Sequence, residues 1–414
     1  MDAAHSEPTG SDRSEPVLLT EPADGTPSVV DTPEALHTAA AALAAGQGPV
    51  AVDTERASGY RYWQRAYLVQ LHREGSGTVL VDPLPLAGEL SPLVAALSDT
   101  EWVLHAASQD LPCLAELGLY PGRLFDTELA GRLAGFDRVS LGALVERMLS
   151  YQLEKGHSAV DWSRRPLPRD WLVYAALDVE LLIALRSALR AELDGQGKLE
   201  WAHEEFETVR TAEPPAARPE PWRRTSGIHR IRQPRQLAAV RSLWQARDAL
   251  ARERDLAPGR VLPDSSIMQA AQTNPANEAE LTALPVFGGK QQRRRASMWM
   301  RALNAARSLP KSELPDPTPP NDGPPPANRW SDRDPAAAAR LSAARTALAE
   351  IAETNSLPME NLILPDLLRR TCWDPPENPD PETVARTLRA RGAREWQISL
   401  TAEALSTALD TPAI

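Results

Sequence analysis

A short apolar segment that ends in two carboxylates constrains this chain more than any other feature. The sequence Val50-Ala-Val-Asp53-Thr-Glu55 is typical of a buried strand whose last residues are acidic. Side chains alternate along a strand, so Asp53 and Glu55 leave the same face. Like charges held this close repel each other, and removing them from water costs several kcal/mol. A chain that folds in this way needs a compensating positive charge at the end of the strand.

Two further acidic motifs follow along the chain. His105 and Asp110 lie where the strand-like segment EWVLHAA runs into a helix, with a spacing that occurs once in the sequence. Tyr174 and Asp178 in YAALDVELL are four positions apart, which places them on one face of a helix, one turn apart. The Asp-x-Glu pattern alone carries little information, because it occurs five times; the copy at Asp53 is the one entered directly from an apolar strand.

These side chains have the chemistry of a metal site. Carboxylate oxygens are hard ligands that suit Mg²⁺ or Mn²⁺. Two such ions roughly 4 Å apart can activate a water and stabilise the leaving oxygen in phosphodiester hydrolysis. We therefore predict that Asp53, Glu55, Asp110 and Asp178 bind two divalent ions. Tyr174, whose reference pKa is near 10, is expected to orient the attacking water rather than to act as a full base.

Around these motifs the chain divides into one mixed domain and two helical ones. Three strand-like segments, PVAVDTE, AYLVQLHR and GTVLVDP, indicate a meander, and helical segments follow. The predicted fold class is α/β, a mixed sheet flanked by helices, followed by two all-α modules. Two Pro-rich stretches are interpreted as extended linkers. The predicted organisation is a disordered tail at 1–28, an N-terminal α/β domain at 29–210, a linker at 211–222, a middle helical domain at 223–310, a linker at 311–330 and a C-terminal helical domain at 331–414.

The two helical domains resemble each other in sequence. Leu262-Pro-Asp in the middle domain matches Leu364-Pro-Asp in the C-terminal domain, each after a helical segment and a turn. Leu250 and Ile351 match in the preceding helices. The pattern predicts a duplicated helical module.

Charge is distributed unevenly along the chain. The formal net charge is −11, yet residues 222–311 hold 17 Lys and Arg against six Asp and Glu, a local charge of +11, so the remainder carries −22. Such asymmetry indicates a surface for a polyanion. The basic run of Lys290, Arg293, Arg294 and Arg295 is the predicted contact with nucleic-acid phosphates.

The three acidic motifs resemble those of a known family. In order and residue type they are similar to the exonuclease motifs of the DEDD superfamily, in its tyrosine-bearing branch. The segment KGHSAVDWSRRPL, just before the third motif, resembles the corresponding segment of the ribonuclease D family, and VRSLWQARDALARERDLAPGRVLPD resembles its helical HRDC domain. The resemblance to the exonuclease covers about residues 30–210.

This resemblance implies a ribonuclease-H-like fold and 3′-5′ hydrolysis of RNA that releases nucleoside 5′-monophosphates. Together with the duplication, it makes the C-terminal domain a second HRDC-like domain. The helical domains are expected to hold structured RNA, and tRNA precursors are the substrate that the resemblance implies. The acidic C-terminal domain is expected to pack against the rest or to shape the substrate channel rather than to grip RNA itself. Two alternatives remain open at this point: an exonuclease that acts on DNA, since the same chemistry cleaves either polymer, and a non-catalytic RNA-binding scaffold that keeps the fold.

One residue departs from the family pattern. Arg56 follows the motif-one glutamate, where family members often have an aromatic or apolar residue. Tyr60 and Tyr62 could instead stack on the terminal base, or pack under the sheet. His105 is expected to be a hydrogen-bonded neighbour of the site, and Asp126 in LFDTE is expected to be a helix N-cap.

The sequence also predicts a location. We find no apolar run of the roughly 18 residues that a membrane helix needs, and no signal-like N-terminus. Two cysteines far apart in the chain do not indicate a disulfide framework. We expect a cytoplasmic protein with no membrane partner.

Overall fold

The computed structural model describes residues 15–154, 156–157, 159–214, 216, 218–318 and 323–410. Within these ranges, helices dominate and the strands lie in the N-terminal domain. None of the described helices has the length and apolar character needed to cross a bilayer.

A six-stranded mixed sheet forms the centre of the N-terminal domain. Its strand order is β2-β5-β4-β3-β6-β7, with β4 antiparallel to both β3 and β5, and the other pairs parallel. The predicted meander is therefore present as β3-β4-β5, and β3 lies between β4 and β6. The strands of this sheet are β2 (Val29–Val30), β3 (Gln47–Arg56), β4 (Ala66–Glu74), β5 (Gly77–Val81), β6 (Glu101–Leu104) and β7 (Arg123–Asp126). A separate two-stranded parallel sheet pairs β1 (Val17–Leu19) with β8 (Tyr151–Leu153).

Helices cover both faces of this sheet. Alternation along β4 sends Val69 and Leu71 into the main core and Leu68 into a smaller cluster on the opposite face, where Ala175 and Ala176 of a helix pack. The predicted α/β class is confirmed. The helices of this domain are α1 (Pro33–Ala45), α2 (Ser91–Leu97), α3 (Leu111–Glu116), α4 (Thr127–Leu133), α5 (Leu141–Leu149), α6 (Arg169–Glu180), α7 (Leu182–Gly195) and α8 (Leu199–Arg210).

The middle helical domain has a core of its own. Leu243 of its long first helix and Trp299 of its last helix are fully buried in one cluster, and Trp222 at the end of the preceding linker packs into the same cluster. The helices are α9 (Pro234–Arg254), α10 (Pro258–Val261), α11 (Asp264–Thr273), α12 (Glu278–Thr282), α13 (Lys290–Arg293) and α14 (Ala296–Ser308).

The C-terminal helical domain contains the same series of elements, after a first short helix. A helix of 20 residues, one of four and one of nine follow one another, against 21, four and ten in the middle domain. Trp330, predicted to end the linker, is instead the first residue of a helix and is fully buried. The helices are α15 (Trp330–Arg333), α16 (Pro335–Thr354), α17 (Met359–Leu362), α18 (Pro365–Trp373), α19 (Pro381–Ala390) and α20 (Glu395–Leu409).

Although the middle domain separates them in sequence, the N-terminal and C-terminal domains share one hydrophobic core. Trp396 of α20 stacks on Trp201 of α8, with ring centroids 5.1 Å apart, and donates a hydrogen bond to Glu205. Arg394 pairs with the same Glu205 carboxylate at 2.7 Å. A side chain at Gly135, whose φ is +81°, would overlap the backbone of Ser356, so the two domains touch there without space for a Cβ.

The predicted disorder at residues 1–28 is wrong for residues 15–28; residues 1–14 lie outside the described part. Val17–Leu19 pair with Tyr151–Leu153 as a parallel strand, and Glu180 accepts a hydrogen bond from the amide of Ala23 at 2.8 Å. These contacts are made to elements more than 100 residues away, so local composition carried no signal for them.

Candidate active site

The two carboxylates of the first motif lie where two parallel strands separate. Strand β3 pairs with β6 at Val50 and Ala51, and the pairing ends there. Asp53 and Glu55 follow on β3, opposite Gln70 and Leu68 of β4. A gap at the carboxyl ends of neighbouring parallel strands is a common position for a binding site in α/β folds.

A tight turn after β6 places the second motif. Ala106 has a left-handed backbone, with φ of 58°, and leads through a short 3₁₀ turn to Asp110 at the start of α3. Asp126 accepts hydrogen bonds from the amides of Ala106, at 3.1 Å, and Ala107, at 2.8 Å, and also from the first amides of α4. The predicted N-cap at Asp126 is confirmed, and this side chain also fixes the turn that carries Asp110.

Helix α6 supplies the third motif. Ala175 and Ala176 bury the helix against the sheet, and Tyr174 and Asp178 extend from it into a cavity of about 410 Å³. This cavity brings together all five side chains predicted as catalytic. It is lined by Asp53, Glu55, Asp110, Tyr174 and Asp178, together with Thr54, Arg56, Ser58, Gly59, His105, Gln109, Ala159 and Val160.

Within the cavity three of the four acids lie close together, and the fourth, Asp110, lies apart from them. Asp53, Glu55 and Asp178 each offer a carboxylate oxygen that lies within 4.8 Å of the other two. Asp110 is outside this group. One of its oxygens accepts a hydrogen bond from the Thr54 hydroxyl at 2.7 Å and lies 3.6 Å from the Arg56 guanidinium.

Burial and mutual repulsion make ionisation of these acids unfavourable. Burial, followed by the charges of Asp110 and Asp178, raises the pKa of Asp53 well above its usual value. Burial, followed by the charges of Asp53 and Asp178, raises the pKa of Glu55 to about 10. Burial also raises the pKa of Asp178 to about 7. A cation bound among these oxygens would offset both causes.

The donor set therefore fits divalent cations. Three carboxylates, that of Glu55 buried and those of Asp53 and Asp178 half-buried, converge within ion-binding distance and provide the hard oxygen ligands that Mg²⁺ and Mn²⁺ prefer. Asp110 borders the same cavity, and its carboxylate is oriented by Thr54. The acidic cluster of this fold is thus suited to divalent metal.

His105 borders the cavity, and its pKa lies below the ordinary value of histidine. Burial lowers its pKa to about 4, and a ring nitrogen lies 2.9 Å from the Thr127 hydroxyl. The unfolded chain, with a His pKa near 6.5, binds a proton between pH 4 and 6.5 that the folded chain does not. The stability that neutral His105 supplies is therefore complete above pH 6.5 and is lost as the pH falls towards 4.

We expect the His105→Asn protein to lose less stability than the native protein when the pH falls from 6.5 to 4. Denaturant unfolding at a series of pH values measures this difference. His203→Asn is the matched control for replacing a histidine elsewhere in the domain, because the His203 side chain is half exposed and does not line the cavity. Equal losses in the native and His105→Asn proteins would contradict the prediction.

Sequence reasoning missed the polar residues around Asp110. Arg56 was noted as a departure from the family pattern, but its pairing with Asp110 and its bond to the Gln109 carbonyl were not predicted. Thr54 lies between the two motif-one acids, and its hydroxyl bond to Asp110 depends on the path of the turn after β6. The position of Thr54 between two acids in Asp-Thr-Glu is the signal in the sequence that points to it.

Tyr60 and Tyr62, the two tyrosines that follow motif one, contact residues of the middle domain. The Tyr62 hydroxyl donates to Asp248 of α9 at 3.1 Å, and its ring packs against the middle domain core. The guanidinium of Arg260 lies 4.0 Å above the Tyr60 ring. The suggestion that these rings stack on a terminal base is therefore not supported, because both are engaged at the junction between the domains.

Three family models match the chain in succession. Residues 27–194 match a 3′-5′ exonuclease model, residues 236–303 match an HRDC domain model, and residues 323–409 match a model of a 3′ to 5′ exonuclease C-terminal domain. These matches follow the three domains of the structure.

Curated relatives and solved structures give the same assignment. Ribonuclease D of Acidiphilium cryptum is 34% identical over 73% of this chain and 78% of its own length, and that of Gluconacetobacter diazotrophicus is 33% identical over 67% and 72%. A protein from Bifidobacterium adolescentis is 42% identical, with a TM-score of 0.89 over 96% of this chain and all of its own. Escherichia coli RNase D, described as an exoribonuclease involved in structured RNA processing, is 27% identical, with a TM-score of 0.66 over 92% and 98%.

Four observations support one assignment. They are the order of the acidic motifs, the cavity in which these motifs meet, the matches to the exonuclease and HRDC models, and the relatives that match over most of their length. The chain belongs to the ribonuclease D family and is a 3′-5′ exoribonuclease.

Proposed function

We propose that Asp53, Glu55, Asp110, Tyr174 and Asp178 are the catalytic residues and that the enzyme trims the 3′ ends of structured RNA such as tRNA precursors, releasing nucleoside 5′-monophosphates. The observation that carries this proposal is the convergence of three carboxylate oxygens within 4.8 Å in one cavity. A pair of Mg²⁺ or Mn²⁺ ions, when bound, supplies an activated water and stabilisation of the leaving oxygen.

The acids divide the work of holding these ions. Asp53, Glu55 and Asp178, whose oxygens converge, would hold one ion, and Asp53 with Asp110 would hold the other. The orientation of Asp110 is fixed by the Thr54 hydroxyl, and Arg56 balances its charge.

Tyr174 positions the attacking water. Its reference pKa near 10 keeps the hydroxyl protonated at neutral pH. A phenol both donates and accepts hydrogen bonds, so the Tyr174 hydroxyl can hold Asp178, one turn further along α6, and orient the water at the same time. A second cavity is also lined by Asp53, His105, Tyr174 and Asp178, and it continues towards α5 and β8. It provides further space beside Tyr174 and Asp178.

An assay of the purified protein tests the function. RNA and DNA of one sequence, labelled at the 5′ end and carrying an unpaired 3′ tail, are incubated with Mg²⁺, Mn²⁺ or chelator. We expect stepwise shortening of RNA from the 3′ end, release of 5′-monophosphates and no cleavage with chelator. DNA should be a poor substrate, because it lacks the 2′-hydroxyl. Internal cleavage, or activity that persists with chelator, would contradict the proposal.

The middle domain is the proposed RNA-holding surface. Lys290, Arg293 and Arg294 are exposed, and Arg295 lies close enough to Arg254 at the end of α9 for their charges to lower the Arg295 pKa, after the effect of burial. The basic run therefore continues towards the end of α9 that faces the N-terminal domain. The predicted cytoplasmic location fits a role in RNA maturation and stays a prediction.

We expect a double Arg293→Gln, Arg294→Gln variant to bind a hairpin RNA with a 3′ tail more weakly. Each lost phosphate contact should reduce the slope of log K against log salt by roughly 0.7–0.9. Filter binding at several salt concentrations, with chelator to prevent cleavage, measures the slope. Arg386→Gln with Arg389→Gln, on exposed residues of α19, is the matched control for charge. An equal change in both variants would contradict a specific role of the basic run.

A further inference from the structure

The loop that follows the motif-one acids is held by the middle helical domain. This loop, residues 57–65, joins β3 to β4 and is named here the motif-one loop. Its Ser58 and Gly59 line the catalytic cavity beside Glu55 and Arg56. A shift of the loop therefore changes the wall of the cavity.

Backbone groups of the loop bond directly to the middle domain. Asp255, the residue directly after α9, accepts hydrogen bonds from the amides of Tyr62 at 3.1 Å and Trp63 at 3.2 Å. The amide of Ala257 donates to the Tyr60 carbonyl at 3.0 Å, and Arg260 donates to the Gly59 carbonyl at 2.7 Å. Both amides and both carbonyls are thus satisfied from another domain.

Side chains reinforce these backbone bonds. The Tyr62 hydroxyl lies between Asp248, to which it donates at 3.1 Å, and Arg252, from which it accepts at 3.2 Å. The Arg260 guanidinium lies over the Tyr60 ring, which also packs against the smaller core cluster of the N-terminal domain. On the N-terminal domain side, Arg61 donates to the Ser163 hydroxyl at 2.8 Å.

We propose that the middle domain, through Asp255, Ala257 and Arg260, fixes the motif-one loop against the catalytic cavity, so that Asp255 is a positioning residue for hydrolysis. The inference rests on the proposed assignment of the cavity as the active site. Under this proposal the middle domain acts on every substrate, including an RNA too short to reach its basic run. A small displacement of a group that positions substrate can cost up to about 10²-fold in rate.

The backbone of Asp255 allows a clean substitution. Its φ is 47°, in the left-handed region, so Asp255→Gly removes the carboxylate without strain. Asn274 provides a matched control in the same domain. It directly follows α11 with φ of 52°, and its side chain also accepts a hydrogen bond, from Arg307 at 2.9 Å, without reaching the motif-one loop.

The experiment compares the full-length native, Asp255→Gly, Asp255→Asn and Asn274→Gly proteins on a short unstructured RNA with Mg²⁺. We expect kcat to fall about tenfold in Asp255→Gly with little change in KM, and to stay near native in Asn274→Gly. Asp255→Asn, which keeps a carbonyl acceptor and tolerates the left-handed backbone, should recover most of the loss. Hydrogen exchange should quicken at residues 57–65 in Asp255→Gly alone.

Two results would overturn the proposal: equal kcat in Asp255→Gly and Asn274→Gly, or exchange at residues 57–65 that does not change in Asp255→Gly. Neither depends on the metal ligands. Failure of the proposed active site appears separately, as activity retained by the Asp53→Asn protein.

Discussion

The Asp53→Asn protein is expected to lose hydrolysis of RNA by at least about 10³-fold. Loss of metal-dependent transition-state stabilisation worth several kcal/mol corresponds to a factor of this size. Asn keeps the shape of the side chain, so the loss reports charge rather than packing. Rates of stepwise shortening, measured with Mg²⁺ and with Mn²⁺, give the factor. A residual rate within tenfold of the native rate would remove Asp53 from the site.

The same substitution should leave the metal-free protein at least as stable as the native protein. Burial and the charges of Asp110 and Asp178 oppose the ionised Asp53, and Asn removes that charge. Mg²⁺ should raise the melting temperature of the native protein, because an ion that binds the folded state stabilises it, and this rise should be smaller in Asp53→Asn. Thermal unfolding with and without Mg²⁺ measures both effects.

Asp126→Asn is the matched control for this pair of effects. Asp126 also precedes a Thr and a Glu at the end of an apolar strand, and it is 2% exposed. Its carboxylate accepts four backbone hydrogen bonds, so we expect Asp126→Asn to lose about 1–3 kcal/mol of unfolding free energy. Mg²⁺ should still raise the melting temperature of this variant as much as that of the native protein. If the rise in melting temperature with Mg²⁺ persisted in Asp53→Asn and disappeared in Asp126→Asn, the metal would lie at Asp126.

The Trp396→Ala protein is expected to lose about 3–5 kcal/mol of unfolding free energy. Trp396 is 3% exposed, stacks on Trp201 and bonds to Glu205. Because the N-terminal and C-terminal domains share one core, the loss should weaken strands β3 and β4 as much as α20. Denaturant unfolding, followed by hydrogen exchange of peptides from both domains, tests this coupling.

Trp299→Ala gives the comparison. Trp299 is fully buried in the separate core of the middle domain. Its removal should quicken exchange in α9 and α14 and leave β3 near its native protection. If Trp396→Ala affects α20 and leaves β3 unchanged, the two outer domains unfold independently and the shared core carries no cooperativity.

Local sequence was sufficient for the elements that bear the acids. Val50–Val52 predicted the strand that leads to Asp53, and a spacing of four placed Tyr174 and Asp178 on one face of α6. In each case the side-chain direction follows from the period of a single element. The prediction that five side chains line one cavity used, in addition, the resemblance to a family; their roles as ligands stay predictions.

Local sequence could not predict which distant part of the chain each surface packs against. The helical pattern of α16 and α20 indicates apolar faces but not that those faces cover the N-terminal domain. Tyr62 is as compatible with a base as with Asp248, and only the docking of α9 decides between them. Likewise, Val17–Leu19 becomes a strand because β8 is beside it. These outcomes depend on contacts between distant parts of the chain.

The arrangement of the cores has a consequence for synthesis on the ribosome, where folding proceeds from the N-terminus. The N-terminal domain emerges first, yet α20, which packs on its helix α8 and belongs to the same hydrophobic core, is translated after the whole middle domain. The middle domain can fold around its own core before α20 is synthesised. The N-terminal domain therefore gains its full set of core contacts only once α20 has left the exit tunnel.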